Sequence, residues 1–244
     1  MKHLVEPSRE YLTQLIGRPK AVVGWCEVAI TEFLKRDKRD LTIINIGCGY
    51  GWLEMAKTQR HWPVNIISLE PSFSDLLFFQ KNLQETNALP LVATGLSLPL
   101  VSCSIDIAVV TEVLEHIPRG EEYALFAEVF RVMSDGGIAL FTTPKRTFLS
   151  CIGDPAWWLI GHRHYSTKRL VDFAESAGFM VNLVSTHGGW AEMISMLDLY
   201  VSKWLFRRRP MLPKFYNRRL DIEWESSKRS FMGLWMVVEK KAAN

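Results

Sequence analysis

The sequence predicts an α/β fold: a doubly wound, mostly parallel sheet with helices on both faces. Three observations predict it. Apolar runs of strand length alternate with runs of helical period from about residue 41 to residue 185, a pattern that calls for parallel strands joined by crossover helices. The first apolar run, Leu41 to Ile46, stops in three glycines at alternate positions, Gly47, Gly49 and Gly51. The second, Val64 to Leu69, closes on an acid, Glu70.

Element by element, Ser8 to Lys35 reads as two helical pieces broken near Gly17 and Pro19. Val22, Trp25, Cys26, Ala29, Ile30 and Phe33 recur at helical spacing in the second piece. Asp37 to Asp40 is a solvated connector. Strands are expected at 41–46, 64–70, 91–93, 105–111, 137–143 and 179–185, with a last strand from Phe231 to Glu239. Helices are expected at 51–60, 72–86, 120–133 and 166–177, the last capped by Ser166. Residues 145–161 read as a long connection carrying Trp157 and Trp158. The whole chain, 1–244, reads as a single domain: a helical cap (1–40), a cofactor-binding core (41–185), a helical and basic-aromatic insertion (186–230), and the last strand with its tail (231–244).

Composition narrows the class. The 244 residues are 48% hydrophobic and 23% charged, enough for one well-buried core. A net charge of +3 does not ask for a nucleic-acid partner. Cys26, Cys48, Cys103 and Cys151 are widely spaced, with no C-x-x-C, so free thiols in a reducing cytoplasm are expected. The first ten residues lack the apolar core of a secretory signal, and no apolar run reaches spanning length.

The glycines carry the first functional reading. At a strand exit, glycine admits positive φ and lets a ligand lie directly on main-chain N–H groups. The register is G-x-G-x-G, and Trp52 stands where a dinucleotide fingerprint has its third glycine. A nicotinamide cofactor is therefore disfavoured. Glu70 lies about 20 positions beyond the first glycine, where a strand-end carboxylate can accept hydrogen bonds from ribose hydroxyls. Both features point to an adenosine-type ligand.

At these residues the chain resembles the class I S-adenosylmethionine-dependent methyltransferases, in the branch typified by quinone-biosynthesis enzymes. Ile43 to Gly51 is similar to the family's cofactor loop, and Ser68 to Pro71 to its acidic strand end. Leu98-Pro99-Leu100 and Ile105 to Val110 resemble its approach to the fourth strand, Thr111 to Pro118 its "EVLEH" segment, and Arg131 to Pro144 its fifth strand. His162 to Ser166 followed by Ala177-Gly178-Phe179 is similar to its late "HxxxYS…AGF" pair. Six matches in order carry more weight than any one of them.

The resemblance implies a Rossmann-like, seven-stranded sheet in which the last strand runs antiparallel beside strand 179–185. It implies S-adenosyl-L-methionine as cofactor, held by Asn45, Gly47, Cys48, Gly49, Gly51, Glu70, Pro71, Thr94, Gly95, Leu96, Thr111 and Glu112. Thr94 departs from the family, which commonly has an acid there to accept from the adenine amino group. A hydroxyl or main-chain carbonyl at Thr94 accepts the same bond more weakly.

Catalytic candidates are fewer, because transfer from a sulfonium needs alignment and exclusion of water more than acid–base power. His116 reads equally as a general base or as a packing and capping residue. His162 and His164, with Arg163 and Tyr165, form a second polar cluster able to bind an anionic acceptor or take a proton. Their H-x-H spacing raises a metal, but no third ligand is signalled and none is expected.

Trp190 to Phe206 shows an apolar helical face (Met193, Leu197, Tyr200 and Trp204), and seven basic residues between Lys203 and Arg219 are interleaved with aromatics. It reads as a lid, as a peripheral membrane contact through 190–219, or, disfavoured by the low net charge, as a nucleic-acid surface. The expectation is a cytoplasmic methyltransferase acting on a small-molecule or lipid-like acceptor. The alternative is a nonenzymatic methyltransferase-fold partner or scaffold.

Overall fold

The computed structural model describes residues 20–36, 40–49, 51–82, 88–204, 206, 219–220, 222–223 and 230–242. The helical piece expected before Gly17 and most of the basic run at 207–218 lie outside the described residues. The elements are α1 (Lys20–Arg36), β1 (Leu41–Ile46), α2 (Trp52–Arg60), β2 (Val64–Glu70), α3 (Phe73–Asn82), β3 (Leu89–Val92), β4 (Ile105–Thr111), α4 (Glu122–Val132), β5 (Met133–Pro144), α5 (Phe148–Gly153), α6 (Pro155–Leu159), α7 (Thr167–Ser176), β6 (Met180–His187), α8 (Trp190–Trp204) and β7 (Gly233–Glu239).

The seven strands form one sheet in the order β3-β2-β1-β4-β5-β7-β6. Pairings among β1 to β5 are parallel, and β7 runs antiparallel to both β5 and β6. The strand order reverses between β1 and β4, and the carboxyl ends of strands at such a switch point open the crevice where α/β sheets bind ligands.

Alternation along each strand divides the core into two layers. Leu41, Ile43, Ile107, Val109 and Leu140 face one side, where Cys26 and Ile30 of α1 and Leu53 and Ala56 of α2 cover them. Ile44, Ile46, Val110 and Phe141 face the other, under Leu125, Phe126 and Val129 of α4 and Phe173 of α7. Phe126 stacks on Phe141 with centroids 4.2 Å apart. A register irregularity between Ile105 and Ile107 lets Ile105 share the face of Ala108 and Val110 despite its odd position.

Two differences from the sequence reading have local causes. β5 begins at Met133 rather than 137, because Met133 pairs with Ile105 before the chain bends through Gly136, whose φ is 74°. The connection after β5 is two short helices rather than an open loop. Thr147 and Ser150 form a reciprocal capping box on α5, and Asp154 accepts from the Ala156 N–H to start α6, with Pro155 at its first turn.

The segment leading to β4 is pinned from α4. Arg131 donates to the carbonyls of Leu98 and Leu100 and to Glu128, and Glu128 accepts from the Leu98 N–H. This clamp sets the Leu98-Pro99-Leu100 stretch, and with it the turn Thr94–Ser97.

Candidate active site

The glycine loop leaves β1 as the sequence demands. Gly47, Gly49 and Gly51 have φ of 71°, 49° and 77°, all in the left-handed region. The Gly47 and Cys48 N–H groups both donate to the Leu69 carbonyl, which ties the loop to the end of β2. Gly47 also admits the segment after β4: a Cβ there would lie 2.5 Å from Val113 Cγ2. Trp52 packs partly buried against the α1-side cluster.

Glu70 ends β2 beside this loop. One carboxylate oxygen accepts from the Gly49 N–H at 3.1 Å and the other from the Ser72 N–H at 3.2 Å. Each oxygen keeps acceptor capacity for a hydroxyl. Pro71 follows it, exposed. Across the crevice, the Thr94 hydroxyl accepts from the Leu96 N–H and its carbonyl from the Ser97 N–H. Gly95 is buried, and a Cβ there would strike Leu125 and Ile46. Leu96 is half-buried against the core.

Asn45 is placed under the loop. It is fully buried, and its Nδ2 donates to Glu54 of α2 at 2.9 Å; Ser68 of β2 donates to the same oxygen at 2.6 Å. Glu54 thus joins β1, β2 and the helix behind the glycine loop. Burial raises its pKa, while the bonds from Ser68 and Asn45 act in the opposite direction. Sequence reading missed Glu54, because an acid within an amphipathic helix reads as solvent-facing. Cys48 is likewise buried, and burial together with the acids Glu54 and Glu70 pushes its thiol far up.

After Thr111 the chain enters a strained turn. Glu112 has φ 54°, rare for a residue with a side chain. Its N–H donates to the Thr142 carbonyl, and the Thr142 hydroxyl donates to its carboxylate at 2.9 Å. Glu115 follows in a short 3-10 turn, Leu114–His116, and accepts from the Thr143 hydroxyl at 3.1 Å. Burial and the adjoining Glu112 charge raise the Glu115 pKa well above the ordinary carboxylate value. Glu112 is raised as well, and its charge beside the buried Glu115 adds to the rise there.

A folded-state pKa raised above the unfolded one gives a contribution present at low pH and lost as pH rises through the folded value. Glu115→Gln, which keeps a neutral hydrogen-bonding group, is therefore expected to unfold at higher temperature than the native protein under alkaline conditions. The gain should be about 2–4 °C per kcal/mol of relieved charge burial and should shrink toward mildly acidic pH. Thermal melts across pH check this, and an equal gain at all pH values would contradict it.

Two of the three histidine candidates, His162 and His164, converge on an acid that sequence reading did not single out, and His116 packs on His162. His116 and His162 meet edge to face, with centroids 4.5 Å apart. His162 Nδ1 lies 3.8 Å from Asp154 Oδ2, and His164 Nε2 lies 2.9 Å from the same oxygen. His164 is buried, with Trp157 packed across its ring and Cys151 Sγ 3.5 Å from its Nδ1. Arg163 pairs with Glu122 and donates to the Leu114 carbonyl, fixing the turn that carries His116. The only sequence signal for Asp154 was the Asp-Pro of a helix start.

Burial lowers the pKa of His116, helped by the neighbouring His162 and Arg163. Burial likewise lowers that of His162, although Asp154 pulls the other way. Both shifts favour the neutral imidazole. His162 Nε2 is buried without a hydrogen-bond partner. Such a lone pair can accept a proton from an acceptor's hydroxyl or thiol. Among the described residues, no group of three or more His, Cys, Asp and Glu is arranged to hold a metal ion.

Residues 24–184 match the family described as "Methyltransferase domain". A curated relative, a probable S-adenosylmethionine-dependent methyltransferase of Mycolicibacterium smegmatis (strain ATCC 700084 / mc(2)155), is 34% identical over 99 residues, which cover 39% of this chain and 38% of that protein. The match thus spans well under half of the relative's length.

Among solved structures, geranyl diphosphate C-methyltransferase from Streptomyces coelicolor A3(2), crystallised with Mg2+, geranyl diphosphate and S-adenosyl-L-homocysteine, superposes with a TM-score of 0.57 at 14% identity. The superposition covers 82% of this chain and 71% of that one. Phospholethanolamine N-methyltransferase 2 of Haemonchus contortus, with phosphomonomethylethanolamine and S-adenosylhomocysteine, gives 0.62 at 15% identity, covering 88% and 52%. At these identities the likeness is one of fold. The residues in the crevice fit the family's cofactor: a left-handed glycine loop that no Cβ can enter at Gly47, and a strand-end carboxylate with free acceptor capacity beside it. With the strand order, the glycine loop and the family match in agreement, the chain belongs to the class I S-adenosylmethionine-dependent methyltransferases.

Proposed function

We propose that this chain transfers the methyl group of S-adenosylmethionine to a lipid-like acceptor that it meets at a membrane surface. The bound cofactor supplies an electrophilic methyl group on a good leaving group; the chain's residues supply position and a proton acceptor. Gly47, Gly49 and Gly51 with Glu70 hold the donor side. His116 and His162, meeting edge to face beyond the end of β4, stand on the acceptor side, where the Nε2 of His162 takes a proton from the acceptor.

The observation that carries the acceptor class is an exposed apolar surface beside these histidines. Phe148, Ile152, Trp158 and Ile160 present large side chains to solvent from the α5–α6 segment, and Ile194 and Leu197 do so from α8. The two segments are packed together, with Met193 of α8 filling the space a side chain at Gly153 would need. Isolated exposed apolar residues are ordinary, but a joined surface of this kind marks an interaction site. The basic residues between Lys203 and Arg219 follow directly in sequence, a charge pattern that suits anionic headgroups. Among the described residues no helix is long and apolar enough to cross a membrane, so the contact proposed is with one face of a bilayer.

Vesicle sedimentation tests the surface. The protein is expected to pellet with phosphatidylglycerol vesicles, and a Phe148→Ser, Trp158→Ser variant should bind at least about tenfold more weakly. Incubation with methyl-tritiated cofactor and a cell extract tests the chemistry, with label expected in the organic phase. Label in the aqueous phase alone would replace the lipid-like acceptor with a small polar one. Cofactor binding without label in either phase would favour the nonenzymatic scaffold.

A further inference from the structure

Beside the acceptor-side histidines, α5, the residue that follows it and the segment after α6 bring together Cys151, Asp154 and His164. Cys151 Sγ lies 3.5 Å from His164 Nδ1, and His164 Nε2 lies 2.9 Å from Asp154 Oδ2. Each member is held. The capping box at Thr147 and Ser150 sets the turn carrying Cys151, whose N–H donates to the Thr147 carbonyl. Asp154 Oδ1 accepts from the Ala156 N–H, leaving Oδ2 to the imidazole. Trp157 packs edge to face on the His164 ring at 4.9 Å.

With Nε2–H donating to the Asp154 carboxylate, the His164 lone pair sits on Nδ1 and faces the sulfur. Nucleophile, base and orienting acid are thus within reach of one another, the arrangement that activates a thiol. Asp154 and His164 are buried, whereas Cys151 retains contact with solvent. The same helix exposes Phe148, Leu149 and Ile152, so the approach to the sulfur is apolar.

We propose that Cys151, His164 and Asp154 form a second reactive site, a thiol activated by its own general base, that adds to apolar soft electrophiles of the α,β-unsaturated carbonyl class. In the step, the thiol proton passes to His164 Nδ1 as sulfur forms a bond to the β-carbon of the electrophile. The electron pair of the carbon–carbon double bond moves to the carbonyl as an enolate. The imidazolium, stabilised by Asp154, returns the proton to the α-carbon. The product is a thioether on Cys151; nothing leaves and no oxidant is consumed. Burial raises the Cys151 thiol above its ordinary pKa, so the resting group is the neutral thiol and its proton must be taken as the bond forms. The site is independent of which acceptor is methylated.

Labelling the intact protein with N-phenylmaleimide, read at each cysteine by peptide mass spectrometry, tests this. His164→Gln should slow labelling of Cys151 by about 10²-fold while Cys103, exposed just before β4, labels at the native rate. Asp154→Asn should slow it by a smaller factor in the same direction. If His164 only shielded the sulfur, the smaller loss of packing in His164→Gln would leave labelling unchanged or make it faster, and either result overturns the proposal. Should the variants fail to fold, the native protein decides. A rate for Cys151 that falls in D2O supports proton transfer during attack, and an absent or inverse isotope effect contradicts it.

Discussion

Gly47→Ala is expected to weaken S-adenosylmethionine binding by about 10²-fold and to lower the melting temperature of the protein. Two penalties combine. A residue with a Cβ in the left-handed region costs about 1–2 kcal/mol. The added methyl would also stand 2.5 Å from Val113 Cγ2, so Val113 or the loop must move, an overpacking cost of about 1–3 kcal/mol. A total of about 3 kcal/mol corresponds to roughly a hundredfold in affinity if the cradle must be rebuilt on binding. Gly49→Ala is the control: its φ is 49°, but nothing lies within 4 Å of the new Cβ, so only the backbone penalty applies. Calorimetric titration of both variants should rank Gly47→Ala well below Gly49→Ala. Equal losses would show that the contact with Val113 is irrelevant.

Glu70→Ala is expected to weaken the same binding by about 10- to 10²-fold, because charge-assisted bonds to hydroxyls are each worth about 1.5–3 kcal/mol. The alanine variant also strips the Gly49 and Ser72 N–H groups of their acceptor, so part of the loss comes through the loop. Glu70→Gln separates the two contributions: its remaining carbonyl oxygen can still serve the loop but gives a ribose a weaker acceptor. The expected order of affinity is native, then Gln, then Ala, by titration with the cofactor. Indistinguishable affinities would remove Glu70 from the site.

The fold was readable because its signals are local and redundant. The apolar runs at 41–46, 64–70 and 105–111 became β1, β2 and β4 at the expected bounds. The late strand 231–239 fell antiparallel beside its partner, inserted between β5 and β6. Boundaries slipped where a pairing partner decides them, as at Met133, whose bridge to Ile105 nothing in the sequence announces.

The backbone geometry of the candidate donor half was legible for the same reason, since three left-handed glycines are requirements written in residue type and Glu70 closes its strand. The acceptor half was only partly so. Three histidines were visible, but the acid that His162 and His164 share, Asp154, sits between short helices that carry no periodicity, and its role exists only in three dimensions. The same holds for Glu54, which looks like a solvated helix acid until β1 and β2 close over it, and for the strained φ of Glu112.

The central claim is that the crevice at the ends of β1 and β2 binds S-adenosylmethionine. Isothermal titration of the native, folded protein with that compound tests it most directly. Saturable binding at one site per chain is expected, reduced in Gly47→Ala and Glu70→Ala. No heat of binding from a protein that melts cooperatively, or full affinity in both variants, would contradict it.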